Sequence, residues 1–172
     1  MTKILVTGST GFIGKQLISR FNSSQFEIIN LDHSHGEISD QSTWVSLPRV
    51  DIVIHLAAKT FVPDSWINPQ DFLKVNFQGT ACALEYCRKH NAKLIFLSSY
   101  VYGEPKFLPI PESAEIKATN PYGLSKILAE ELCEFYTTLY NLDVTILRPF
   151  NVYGPGQNSN FLIPFIIQQA MY

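Results

Sequence analysis

The chain has 172 residues, 46% apolar and 16% charged, with a formal net charge of −2. That apolar content supplies one buried core and excludes a disordered chain, while a charged share below the roughly 25% of an average soluble domain points to extensive coverage by core, partner subunit or both. Its 13 Lys and Arg are scattered, so no broad positive field serves a nucleic-acid backbone or an anionic membrane, and any anion must be held locally.

Strand-like and helix-like segments alternate along the chain, the pattern of a parallel sheet with crossover helices. In chain order the pattern predicts a strand at 3–7, a helix at 11–23, strands at 27–31 and 50–55 and a long helix at 69–91. A strand at 93–98, a second long helix at 121–141, a strand at 144–148 and a closing helix at 161–170 complete the order. The strands are rich in Ile, Leu and Val without polar alternation, as strands covered on both faces are. The helices carry apolar residues at three- and four-residue spacing. Asn68-Pro69 and Asn120-Pro121 each put a capping residue before a proline at the first helical position. The stretch 104–119, with Pro105, Pro109 and Pro111, is a long polar connection of the kind that is often functional. The expected fold class is α/β, a doubly wound parallel sheet in one domain, with no internal repeat or interdomain linker.

The longest apolar runs, such as 94–97 and 161–165, fall far short of the ~20 residues that span a bilayer. Met1-Thr2-Lys3 leads straight into the first strand, so a cytoplasmic location without membrane attachment is expected. Cys82, Cys87 and Cys133 are odd in number, lie in helical segments and lack Cys-x-x-Cys spacing, which fits reduced packing residues; no metal is expected.

The first strand runs into Thr7-Gly8-Ser9-Thr10-Gly11-Phe12-Ile13-Gly14, with glycines at G-x-x-G-x-x-G spacing ahead of an amphipathic helix. Such a turn suits a pyrophosphate: one glycine makes the turn, another admits the phosphate, the third lets helix and strand touch, and the helix start offers free N–H groups. The second strand ends in Leu31-Asp32, a carboxylate about 20 residues on, where an acid meets ribose hydroxyls. An acid there repels a ribose phosphate, favouring NAD over NADP unless His33 or His35 compensates. The alternative for Asp32 is an aspartate that caps its own loop backbone. Glu37 and Ile38, in the following loop, could reach the adenine side.

Tyr122 and Lys126 lie four apart on a predicted helix, so their side chains share a face, and a nearby ammonium favours the phenolate. A tyrosine base then becomes possible at neutral pH. The spacing alone arises readily by chance in a chain with 8 tyrosines. Its weight comes from Ser98-Ser99-Tyr100-Val101-Tyr102-Gly103 at the end of the fourth strand, the sheet edge where doubly wound folds bind ligands.

With these motifs in order, the chain resembles the N-terminal part of an extended short-chain dehydrogenase/reductase, a Rossmann-fold protein of the NAD-dependent epimerase/dehydratase family that acts on nucleotide sugars. The resemblance covers nearly the whole chain. Residues 7–14 resemble the family's cofactor turn, His55-Leu56-Ala57-Ala58 its post-strand cofactor segment and Val75-Asn76-Phe77-Gln78-Gly79-Thr80 its central helix motif. Tyr122-Gly123-Leu124-Ser125-Lys126 matches the catalytic helix, and residues 147–156, including Pro149 and Asn151, match the stretch that touches nicotinamide and substrate.

The resemblance implies that Tyr122 takes a proton from a sugar hydroxyl while hydride passes to NAD, with Lys126 lowering the tyrosine pKa and holding the nicotinamide ribose. Ser98, three residues before Val101, takes the catalytic hydroxyl position, and Ser99 does so if the register slips by one; both are substrate-side residues. Leu56, Ala57, Ala58, Lys59 and Asn76 line the cofactor, although Leu56 to Ala58 also read as plain packing. Pro149 meets the nicotinamide through its backbone and Asn151 meets substrate phosphates. His55 reads as a core histidine held by hydrogen bonds.

Family dehydratases follow the catalytic hydroxyl with an acidic pair, and this chain has Ser99 and Tyr100 there. Dehydration is therefore disfavoured, leaving epimerisation, or net reduction or oxidation of a nucleotide-linked sugar; a non-catalytic dinucleotide-binding module is the competing class. The family's smaller substrate domain is missing, so the chain reads as a cofactor-binding half that turns over sugar nucleotide poorly. Its long helices resemble those through which family members pair, which implies a homodimer.

Overall fold

The computed structural model describes residues 1–21 and 24–171. Five strands form one sheet in the order β2-β1-β3-β4-β5, with β1 at Thr2–Thr7, β2 at Phe26–Leu31, β3 at Ile52–His55, β4 at Lys93–Leu97 and β5 at Val144–Leu147. Every neighbouring pair is parallel. The connecting helices are α1 Phe12–Ile18, α2 Gln41–Val45, α3 Val62–Ile67, α4 Pro69–Phe72, α5 Gly79–His90, α6 Pro121–Tyr140 and α7 Leu162–Ala170.

Because side chains alternate along a strand, β1 feeds two cores. Leu5, with Val53, Leu94 and Phe96, packs against Trp44 of α2, Leu84 and Tyr86 of α5 and Ala129 and Cys133 of α6. Ile4 and Val6, with Ile54, pack on the other face against Leu17 and Ile18 of α1 and Phe21. Both faces are covered, as the unbroken apolar strands required. Cys82, Cys87 and Cys133 are free and buried, and burial pushes the Cys133 thiol up to about 12. Among the described residues no helix is long and apolar enough to cross a membrane.

Strand register gathers the candidate residues at one end of the sheet. Thr7 pairs with both Leu31 and His55, His55 with Phe96, and Phe96 with Ile146. The strands therefore end level, and the glycine turn, Asp32, Leu56, Ser98 and Arg148 leave from one edge. The strand order reverses between β1 and β3, the place where doubly wound sheets open a ligand crevice.

Predicted and observed elements differ in informative ways. The first helix is helical from Phe12 to Ile18; its predicted end at Ser23 lies outside the described residues. The predicted helix 69–91 is broken by a π-helical segment, Leu73–Gln78, between α4 and α5, which periodicity cannot announce. Asn68 stands at the head of α4 without a side-chain cap bond, whereas Asn120 Oδ1 accepts from Gly123 N at 2.7 Å. Asn91 and Asn141 end α5 and α6 in the left-handed region, at φ 54° and 52°, a conformation asparagine tolerates. The helical turn His33–His35 and the short α2 and α3 carry too few residues for a periodic signal.

Candidate functional site

The glycine turn is locked by backbone. Gly8 sits at φ +67°, its N–H donates to Leu31 O at 2.9 Å, and its own carbonyl accepts from Gly11 N at 2.9 Å. A Cβ on Gly8 would lie 2.9 Å from Ala57 N, and one on Gly14 only 2.3 Å from Gly8 O. Backbone cannot yield to either, so these two glycines let the turn rest on β3 and α1 rest on the turn. Thr10 and Gly11 are exposed, Phe12 and Ile13 half-buried and Gly14 buried. No side chain caps the start of α1, which leaves its first N–H groups facing the crevice.

Thr7 ties this turn to the next segment. Its hydroxyl oxygen accepts from Leu56 N and Ala57 N, each at 3.1 Å, and so sends its own proton to His55 Nδ1 at 2.8 Å. That assigns the His55 proton to Nε2, a buried atom without a partner. Burial, with the charge of Lys126 added, lowers the His55 pKa to about 3. His55 is thus a neutral histidine of the core.

Asp32 caps the turn that follows it. Its Oδ1 accepts from Ser34 N at 3.0 Å and Ser34 Oγ at 2.6 Å and lies 3.1 Å from His35 Nδ1. These contacts, Ser34's first, hold its carboxyl below the usual range. Among the described residues no hydrogen bond reaches Oδ2, which stays open to a ligand hydroxyl. Glu37 is exposed, and its carbonyl accepts from Thr43 Oγ1 at 2.8 Å. Ile38 is buried in the core with its carbonyl taken by Trp44 Nε1 at 3.0 Å, so its side chain serves packing.

Asn76, in the π-helical segment, is almost fully buried and spends its amide on the protein. Its Oδ1 accepts from Lys59 N at 2.8 Å, while Nδ2 donates to Lys59 O at 3.0 Å and to Ser125 Oγ at 2.9 Å. Ser125 in turn donates to Tyr122 O at 2.7 Å, and Thr80 Oγ1 donates to the Asn76 carbonyl at 2.6 Å. One side chain therefore sets the post-β3 segment against the start of α6. The Lys59 ammonium points outward to Asp71 at 2.9 Å.

Tyr122 and Lys126 share a face of α6 but occupy different surroundings. Tyr122 stands edge-on to Phe72, ring centroids 6.3 Å apart. Burial raises its phenol pKa, a hydrogen-bonding interaction with Ser99 opposes the rise, and Tyr100 adds to it. The Ser99 hydroxyl is near enough to oppose the rise in the phenol pKa, and Ser98 Oγ is buried without a partner. Lys126 is buried, its Nζ 4.4 Å from the Phe96 ring centroid, and burial lowers its pKa to about 8. Burial is the largest influence on the Tyr122 phenol.

Beyond β5, Arg148 makes a two-pronged bond to buried Glu130, Nε to Oε1 at 3.0 Å and Nη2 to Oε2 at 2.6 Å. Its Nη1 reaches Tyr102 Oη at 3.3 Å. Pro149 comes next, half-buried, and Asn151 is exposed. Gly154 returns to the turn, since a Cβ there would lie 3.6 Å from Phe12 Cζ. Hydrogen bonds run from Thr7 to the segment after β3 and from that segment through Asn76 to Ser125, so the start of α6 and the glycine turn lie at the same end of the sheet.

With that geometry in view, the chain matches the model of the NAD dependent epimerase/dehydratase family over residues 4–171. The chain belongs to this family. It is 36% identical over 175 residues to a putative UDP-glucose 4-epimerase of Methanocaldococcus jannaschii, covering 90% of this chain and 57% of the relative. Among solved structures of family members, RMD from Pseudomonas aeruginosa complexed with NADPH superposes with a TM-score of 0.87 at 32% identity, covering 98% of this chain and 61% of that one. A dTDP-glucose 4,6-dehydratase of Streptomyces venezuelae with NAD bound gives a TM-score of 0.90 at 28% identity, covering 98% and 62%. The chain thus spans less than two thirds of the length of these family members.

Sequence reasoning missed Thr7, Phe72, Ser125 and Glu130. Ser125 and Glu130 lie on the buried face of α6, where polar residues within an apolar stripe are the signal that could have found them.

Proposed function

We propose that residues 1–172 form the dinucleotide-binding domain of an NAD-using enzyme that epimerises a sugar carbon of a nucleotide sugar. The observation that carries this reading is that the Gly8–Gly14 turn and the start of α6, with Tyr122 and Lys126, are tied together at one end of the sheet through Thr7, Lys59 and Asn76. The fit to a dinucleotide rests on the backbone-tight turn, the free Oδ2 of Asp32 and the buried, unpartnered hydroxyls of Ser9, Ser39 and Ser98. When bound, the nicotinamide supplies a reversible hydride acceptor at the sugar carbon.

The chain's own groups do the rest. The turn with Gly8, Gly11 and Gly14 holds the pyrophosphate, Asp32 Oδ2 accepts from a ribose hydroxyl, and Leu56, Ala57, Ala58 and Pro149 wall the crevice. Asn76 works at one remove by fixing the Lys59 backbone. Tyr122 Oη takes the sugar hydroxyl proton and later returns it, Ser99 stabilises the phenolate, and Lys126 adds positive charge once ligand draws its ammonium toward the ribose. Ser98 and Asn151 face the substrate. A ribose phosphate at Asp32 would meet a like charge, which favours NAD over NADP.

Ser99 and Tyr100 in place of an acidic pair favour epimerisation over elimination, and net reduction or oxidation of the same substrate class is the second reading. Exposed Phe135, Leu139 and Tyr140 on α6 support a homodimer, and the cytoplasm is the location this reading assigns to it. Calorimetry tests the core of this reading: NAD binds this chain more tightly than NADP, and absence of NAD binding overturns it. With a UDP-, GDP-, CDP- or dTDP-sugar present, any reduction of bound NAD, read by absorbance, disappears in Tyr122→Phe while NAD affinity persists.

A further inference from the structure

We propose that the open face of the Tyr100 ring, backed by the near-parallel ring of Phe150, forms a platform for the apolar face of a pyranose ring, making these two residues determinants of which sugar the site accepts. The inference rests on the nucleotide-sugar reading and adds to it where the sugar lies. The rings are 5.6 Å apart between centroids and inclined by 12°. Half of each is open to solvent, Tyr100 at 48% and Phe150 at 53%.

This is a built surface rather than stray exposure. Phe150 also lies near-parallel to Tyr102 at 6.3 Å, the Arg148 guanidinium sits over the Tyr102 ring at 5.3 Å, and Arg148 is clamped by Glu130, which is 2% exposed. A ladder therefore runs from a buried carboxylate on α6 to an open aromatic face. Charged and stacked contacts fix its lower rungs, so the upper face is pre-positioned and needs little ordering when ligand arrives.

Its place selects the ligand chemistry. Tyr100 lies close enough to Tyr122 to act on its phenol, and Phe150 lies between Pro149 and Asn151. A group on this face sits beside the proton-transfer pair. The axial C–H bonds of a hexopyranose give each ring face a small apolar patch that stacks on aromatic rings, and turning one hydroxyl axial alters that patch. An aromatic floor beside the base therefore desolvates the sugar and favours ring faces whose C–H bonds point toward it.

Saturation-transfer NMR on the whole chain, with UDP-glucose and UDP as probes and saturation of aromatic protein protons, tests the platform. Transfer to the glucose ring protons is expected, and it persists in Tyr100→Phe, which keeps the ring. Tyr100→Leu and Phe150→Leu weaken UDP-glucose binding roughly threefold to tenfold and leave UDP unchanged. Circular dichroism on the same samples confirms that the half-exposed sites tolerate leucine. Ring-proton transfer unaltered by both leucine variants, transfer to uracil protons alone, or no transfer at all overturns the platform. Calorimetry with NAD separates the two ideas: sugar transfer without NAD binding retains the platform and removes the cofactor reading, whereas NAD binding without sugar transfer does the reverse.

Discussion

The two ends of the sheet edge are built by different physics. Around β1 and β3, Leu5, Val6 and Val53 have no exposed surface, and the glycine turn is held by backbone atoms meeting backbone atoms. At β5 no strand residue is buried, and none of α7 is either. There the chain is held by long side chains, Arg148 on Glu130 and Phe61 edge-on to Phe161 at 5.8 Å. The glycine-turn end is therefore dictated by steric necessity, with almost no freedom to vary. At the β5 end, side-chain identity decides shape.

Glycine substitutions break this comparison most sharply. Gly14→Ala forces a Cβ onto Gly8 O, so it lowers stability by more than about 3 kcal/mol and abolishes NAD binding. Gly156, at φ +85° with nothing within 4 Å of the position a Cβ would take, meets only backbone strain, and Gly156→Ala costs about 1 kcal/mol. Urea unfolding of both variants measures the contrast, and equal losses would erase the distinction drawn between the two ends.

Asn76 comes next in size. Asn76→Ala leaves the Lys59 N–H and carbonyl without their partner in a buried setting, and Ser125 Oγ without its donor. The expected loss is about 2–3 kcal/mol. Because the lost bonds tether the post-β3 segment to α6, NAD affinity falls in the folded variant as well, which calorimetry reads separately from stability.

Legibility in the sequence divides along the same line. The five parallel strands and the glycine turn were readable because β-branched runs and unsubstituted backbone leave a local signature. Strand limits moved by no more than a residue or two, as for 50–55 against Ile52–His55. The π-helical segment was not readable, since periodicity does not announce it and its Asn76 finds its partner at Lys59, 17 residues back in the chain. Nor was it readable that a single oxygen of Asp32, Oδ1, takes all of its turn contacts, because that depends on which oxygen faces Ser34. Ser98 and Ser99 are adjacent and chemically identical, and only the path of the chain after β4 decides which one meets Tyr122.

Lys126 gives the smallest effect and the one with a distinctive pH signature. Its pKa falls from 10.5 to about 8 on folding because burial disfavours the ammonium. Below pH 8 it is charged in both folded and unfolded chains, so the folded state carries the full cost of burying that charge. Between pH 8 and 10.5 the unfolded chain still holds a proton that the folded chain has released, and wild-type stability accordingly rises with pH across that window. Lys126→Met keeps the aliphatic stem and removes the charge. At pH 7 it stabilises the chain by about 2 kcal/mol, the relief of roughly 3 kcal/mol being offset in part by the lost cation–π contact with Phe96. That advantage fades through the window and is gone above it. Urea titrations at several pH values trace the convergence, and a gain that ignores pH would mean that the ammonium is not buried in solution as it is against Phe96.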